Sequence, residues 1–226
     1  MNLENQEKDA IIFHIIFGFL SVIILLIPLI QIGWKLFILV IIYNLGSLLF
    51  SSIRGYKVWR DIWFFSFLIS IFQVFPDWFL SAELNILVFP EDGLFKIGTV
   101  SGYMIGLWAI PLFVIIYSGI RMKEKTTYIK SIFFVLLISF LIFTISEASI
   151  WMIGSWYPQN VFTLFNHLAV YIIFPEIILG LSSYLGFIYL VDKNQLYKLP
   201  IAFIIMLIYL GGCVFFYFLV EKIILL

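Results

Sequence analysis

Seven stretches of about twenty mostly apolar residues take up most of this chain, and few folds can accommodate them. They run approximately Ala10–Ile30, Trp34–Ile53, Ile62–Leu80, Tyr103–Ile120, Ser131–Ile153, Asn166–Val191 and Leu199–Val220. Each is long enough to cross the hydrocarbon core of a bilayer as a helix, where every backbone polar group must be satisfied within the segment. Composition agrees: mean hydropathy is +1.14, and 64% of residues are hydrophobic against 12% charged. A water-soluble chain of 226 residues needs far more polar surface than that. The expected fold is therefore all-α, a seven-transmembrane-helix bundle forming a single domain over residues 1–226. The polar start MNLENQEKD leads into an apolar run of about twenty residues, longer than a typical signal-peptide core, so it reads as a retained helix.

Charge orients the bundle. Lys8, Arg54, Lys57, Arg60, Arg121, Lys123, Lys125, Lys130, Lys193 and Lys198 fall on one side, and only Lys35, Lys96 and Lys222 on the other. By the positive-inside rule the N-terminus and the basic loops are cytoplasmic and the C-terminus is external, in a multi-pass cell-membrane protein. Net charge is zero, with no basic footprint for nucleic acid. The bilayer itself is the expected partner, together with a hydrophobic small molecule.

On the outer side the tripeptide Phe-Pro-acid recurs, at Phe75-Pro76-Asp77, Phe89-Pro90-Glu91 and Phe174-Pro175-Glu176. Asp77, Glu83, Glu147 and Glu176 all fall in the outer half or outer mouth of helices three, five and six. A carboxylate at mid-helix costs about 2.5–3.5 kcal/mol on insertion scales, so such residues are functional candidates by default. No Lys or Arg is available at that depth to pair with them. What remains is protonation, hydrogen bonding to polar neighbours, or a wet cavity. Pro76 and Pro175 fit this picture, since a proline inside a helix frees a carbonyl one turn back that a carboxyl can satisfy.

Helical spacing extends the candidate site. Gln73 lies one turn before Asp77, Trp78 follows it, and Trp151 lies one turn after Glu147. On helix six His167, Tyr171 and Phe174 share a stripe beside Pro175. Trp156, Tyr157 and Asn160 sit in the aromatic and amide-rich outer loop, and Tyr103 and Trp108 open helix four. Many of these aromatics also suit an interfacial belt. Helices three and four repeat in outline as helices five and six: an acid, an outer loop, then a tyrosine and a proline.

Several chemistries drop out. Retinal needs a lysine inside the last helix, and Leu199–Val220 has none. A zinc site needs three histidines, or two with a carboxylate, on one side, whereas His14 and His167 lie near opposite faces. Aspartate-rich magnesium motifs and phosphate-binding glycine loops are absent, and Cys213 is the single cysteine. No metal and no cofactor is expected. The combination that survives, carboxyls without countercharge in an aromatic-lined apolar setting, suits acid-initiated chemistry on a hydrophobic alkene or epoxide.

The run Asp77…Glu83…Gly102-Tyr-Met…Trp108-Ala-Ile-Pro-Leu-Phe, then Glu147…Tyr171-Ile-Ile-Phe-Pro-Glu176…Gly180, resembles the polytopic carotenoid and terpenoid enzymes. These are the membrane lycopene cyclases, the bacterioruberin-pathway hydratases and the fungal membrane terpene cyclases. The resemblance spans helices three to six. It implies a cyclase or hydratase-type reaction on an isoprenoid or lipid, with Asp77 or Glu83 and Glu147 or Glu176 handling protons. The acidic pair of the lycopene cyclases at a Pro-x-Glu-Glu turn is not reproduced, since Pro90 is followed directly by Glu91 and Asp92 in a loop. A small proton-coupled transporter using the same acids, or a non-catalytic membrane subunit, are the alternatives. The odd number of spans yields a direct expectation: a reporter active only in the cytoplasm, fused after Leu226, stays silent. Reporter activity there would mean an even number of spans.

Overall fold

The computed structural model describes residues 3–225. The chain runs as helices α1 (Leu3–Leu25), α2 (Ile32–Arg54), α3 (Lys57–Trp78), a short α4 (Met104–Leu107), α5 (Ala109–Lys125), α6 (Tyr128–Ser149), α7 (Ile173–Leu190) and α8 (Lys198–Tyr217). Helix α3 continues into a π-helical turn at Phe79–Glu83, and α4 and α5 join into one rod through Trp108. Counted with such extensions, seven helices are long and apolar enough to cross a membrane, from Asn5–Leu25 to Gln195–Ile224. Large apolar side chains such as Ile15, Phe19, Leu49 and Phe133 stay exposed around the outside. The bundle thus presents an apolar belt with no protein to cover it.

The two largest departures from the expected boundaries are both at helix starts. Helix α1 starts near residue 3 rather than 10, because its polar first turns are tied down. Glu7 bridges Arg121 at 3.0 Å and Lys125 at 2.7 Å, and Asp9 pairs with Arg54 at 3.3 Å. Tyr56 also donates to Asp9 at 2.6 Å, which raises the Tyr56 pKa above the ordinary phenol value. The sixth long helix starts at Ile173 and not at Asn166. Phe165 and Asn166 have φ of +53° and +64°, so the chain turns there in the left-handed region and cannot be helical.

Most of the basic residues gather at one end of the bundle, opposite Lys96 in the β2 strand. Lys198, buried, holds Asp61 at 3.0 Å beside the α7–α8 connection. The other end is capped by three two-stranded antiparallel ladders of two residues per strand: β1 (Leu87–Val88), β2 (Lys96–Ile97), β3 (Val100–Ser101), β4 (Tyr157–Pro158), β5 (Thr163–Leu164) and β6 (Leu168–Ala169). β2–β3 and β5–β6 are local hairpins, whereas β1 pairs with β4 across the cap. The long loops at this end therefore fold into two hairpins joined by the β1–β4 pair.

Element order shows the internal repeat in full. After α3 come β1, a β2–β3 hairpin and a helix; after α6 come β4, a β5–β6 hairpin and a helix. Leu87 pairs with Pro158 and Val88 with Tyr157, so equivalent strands meet antiparallel, as two copies related by a local two-fold do. Tyr103 and Tyr171, both buried, each follow the last hairpin strand by two residues.

Inside the bundle, buried polar side chains act as helix ties. Asn44 on α2 donates to the carbonyls of Val40 at 2.8 Å and Gly106 at 3.2 Å, and accepts from Trp63 at 3.1 Å. Gly106 permits that approach, since a Cβ there would lie 2.7 Å from Val40 and 3.0 Å from the Asn44 amide. Asn44→Leu leaves a buried indole N–H without an acceptor and is expected to cost about 1–3 kcal/mol. Denaturant unfolding in detergent measures this against Leu45→Ala, an exposed neighbour expected to change stability by less than about 0.5 kcal/mol.

Candidate functional site

Asp77, Glu147 and Glu176 line one cavity beneath the cap, although they come from three different helices. Each is placed by a local device. Asp77 sits one residue past Pro76 near the end of α3, where the π turn that follows rotates the chain toward the cap. Glu147 occupies the last full turn of α6 before a tight 3₁₀ turn. Glu176 lies in the first turn of α7, where a helix welcomes negative charge.

The acids differ in their partners. Trp108 Nε1 donates to Asp77 Oδ2 at 3.1 Å, and Trp156 Nε1 donates to Glu147 Oε1 at 3.2 Å. One oxygen of Glu176 is buried without any partner in the protein. No Lys, Arg or His lines the cavity. The walls are Trp108, Trp156, Tyr171 and Tyr209 with Met104, Ile172, Leu80 and Phe89, and the Trp108 and Tyr209 rings pack edge-to-face at 5.7 Å. Repeat-equivalent residues line it in pairs, Asp77 with Glu147, Met104 with Ile172 and Trp108 with Glu176. The space open to the centres of water molecules is small, about 30 Å³.

A second cavity adjoins it. An apolar groove of about 370 Å³ on the same measure lies between α4–α5 and α6, along Leu107, Ile110, Val114, Ile142 and Phe143. It shares Met104, Trp108, Glu147, Trp156 and Glu176 with the acid cavity, so its inner end is the carboxyl cluster.

The three helices that bear the acids carry further buried polar groups, farther from the cap. Gln73, Ser66, Ser139 and Ser183 are all fully buried, and none has a hydrogen-bond partner in the protein. Elsewhere helical serines close onto their own backbone, as Ser21, Ser51, Ser52, Ser131, Ser149 and Ser182 do. The three unpaired serines behave differently, and they sit on the inner faces of α3, α6 and α7. Ser139 is packed so close to α7 that a Cβ at Gly180 would fall 2.1 Å from its Oγ.

The remaining sequence candidates lie elsewhere. Glu83 is exposed on the π turn. Trp78 packs under the β2–β3 hairpin against Gly98. Tyr103 is buried and donates to the Ser155 carbonyl at 3.2 Å. His167 is in the β5–β6 turn and not on a helix, and stacks on Trp151 at 3.8 Å. Tyr157 belongs to β4, and Asn160 bonds the Asn85 carbonyl at 3.1 Å, bracing the cap. Pro175 also differs from expectation: it is the third residue of α7, where its missing N–H would be unpaired anyway, so it leaves no kink. Phe89-Pro90-Glu91 lies in the cap, and Glu91 pairs with Lys96 at 2.9 Å.

Tyr209 escaped the sequence reading. Its signal was the stripe Met206, Tyr209, Cys213 and Tyr217 at helical spacing, every member buried. Among the described residues no group of three or more His, Cys, Asp or Glu could hold a metal ion.

Comparison with curated proteins and with solved structures finds no match for this chain. A family model described as a domain of unknown function, DUF6989, matches residues 74–220, a stretch that begins just before Asp77, ends beyond Tyr209 and contains every residue of the acid cavity. With more than half of its 226 residues inside that match, the chain belongs to the DUF6989 family.

Proposed function

We propose that this is a multi-pass membrane protein, with the basic end in the cytoplasm, that carries out acid-initiated cyclase- or hydratase-type chemistry on a hydrophobic isoprenoid or lipid. One observation carries the reading: three carboxyls with no basic side chain beside them line one cavity, and two of them, Glu147 and Glu176, also line the apolar groove that adjoins it. The groove faces the side of the bundle, where a bilayer would supply an apolar substrate directly. A protonated carboxyl donates its proton to one carbon of an alkene, forming a C–H bond and leaving a cation on the other carbon. The faces of Trp108 and Trp156 stabilise that cation. A carboxylate then takes a proton from a neighbouring carbon, or from a water that adds to the cation. The first outcome isomerises or cyclises; the second hydrates.

A second reading, a proton-coupled carrier, is favoured by the unpaired buried groups Gln73, Ser139, Ser183 and Ser66 on the same three helices as the acids. The two separate in lipid extracts: an enzyme changes the isoprenoid or polar lipid profile of expressing cells, and a carrier leaves it unchanged.

The amide variants Asp77→Asn, Glu147→Gln and Glu176→Gln keep size and hydrogen bonding but lack the exchangeable carboxyl proton. If the acids handle protons, each variant inserts and melts normally yet loses product formation by about 10²–10⁴-fold. Melting temperature and lipid product are measured on the same preparations. Full product formation in all three would leave the acids as a scaffold.

A further inference from the structure

We propose that the carboxyl cluster and its groove form a binding site for a long-chain primary amine, with the ammonium among Asp77, Glu147 and Glu176 and the chain lying in the groove. The proposal rests on the reading above in one respect: the ammonium occupies the place where a substrate cation would form.

The first support is hydrogen-bond inventory. Three carboxyls bring six oxygens, and the protein supplies an indole donor to one oxygen of Asp77 and one of Glu147. Glu176, 2% exposed, keeps an oxygen with no partner. The cluster is rich in acceptors and short of donors, so a fitting ligand must donate. An ammonium has three N–H donors and no acceptor, one for each carboxyl.

Charge and shape agree with this. No basic side chain lines the cavity, so a countercharge for any ionised carboxyl there comes from a ligand. Trp108, Trp156 and Tyr209 offer aromatic faces, the usual surroundings of a recognised ammonium. The cavity, at about 30 Å³, has room for a head group the size of one or two water molecules and excludes a trimethylammonium. The groove that leads out of it is apolar along Leu107, Ile110, Val114 and Ile142, and matches an alkyl chain. Protons balance in either form: a neutral amine takes a proton from a carboxyl, making an N–H bond and breaking an O–H, or an ammonium pairs with a carboxylate already formed.

The test uses the purified full chain in lipid nanodiscs, with melting followed by tryptophan fluorescence. Dodecylamine is compared with dodecanol, dodecyltrimethylammonium and dodecanoate at equal concentrations. Dodecylamine alone is expected to raise Tm in a concentration-dependent way. Glu176→Gln should weaken its binding by about 30-fold or more, as loss of one partner from a buried charge pair does. Ile142→Trp fills the groove without touching an acid, and should weaken binding as well if Glu176→Gln proves unstable. Phe19→Ala, on the exposed face of α1, should change nothing. An equal shift from dodecanol or from dodecyltrimethylammonium, or full dodecylamine binding in both Glu176→Gln and Ile142→Trp, overturns the proposal. Amine binding without any lipid product would leave this site standing and remove the enzymatic reading; product formation without amine binding would do the reverse.

Discussion

Two residue pairs, Leu87 with Pro158 and Val88 with Tyr157, join the loop after α3 to the loop after α6, and the interior is arranged around that join. Neither strand is long enough to be stable alone, since two-residue ladders need support from the packing beneath them. Here the support is mutual. The β1–β4 pairing places Leu87, Phe89, Trp156 and Pro158 as a roof, and the roof meets the helix ends that bear Asp77 and Glu147. Because the paired strands are equivalent members of a repeat, whatever one half brings to the interface the other half brings too. Two acids, Asp77 and Glu147, and two buried tyrosines, Tyr103 and Tyr171, follow from that arrangement, whereas the indole donors Trp108 and Trp156 come from non-equivalent positions. Glu176 breaks it, standing where the first half has Trp108.

The asymmetry has chemical weight. Asp77 and Glu147 each hold an indole N–H, which supports a carboxylate, while Glu176 has an oxygen with no donor at all. A site built by duplication and then unbalanced at one position provides acids in unlike surroundings, the arrangement acid and base roles require.

The helical bundle was legible in the sequence because its signal is strong: long apolar runs leave little alternative, and seven membrane-length helices are found. Helix ends were less legible. Nothing in apolar periodicity reveals that Glu7 and Asp9 reach Arg121 and Arg54, which extends α1 into its polar start. Nor does it reveal that Phe165, an exposed residue, turns in the left-handed region to close the short β5–β6 hairpin. At the site, the depth of Asp77, Glu147 and Glu176 could be read from position in their runs, and so could the lack of basic partners. The cap could not. Local spacing put His167 and Trp151 in the site, but loop geometry stacks them on each other outside it. The recurrent Phe-Pro-acid tripeptide misled for a related reason. Its three copies occupy a helix end, a loop and a helix start, so one string has three physical meanings.

Phe65 and Phe187 meet with ring centroids 6.1 Å apart. Phe187 also forms part of the wall of the charged cleft at the basic end, beside Lys57, Lys123 and Lys198. Phe65 directly precedes the unpaired Ser66 on α3, and Phe187 lies one turn beyond the unpaired Ser183 on α7. An uncharged aromatic contact therefore stands next to both serines on the side of the basic cleft, and the size of those two rings sets how closely that cleft approaches them.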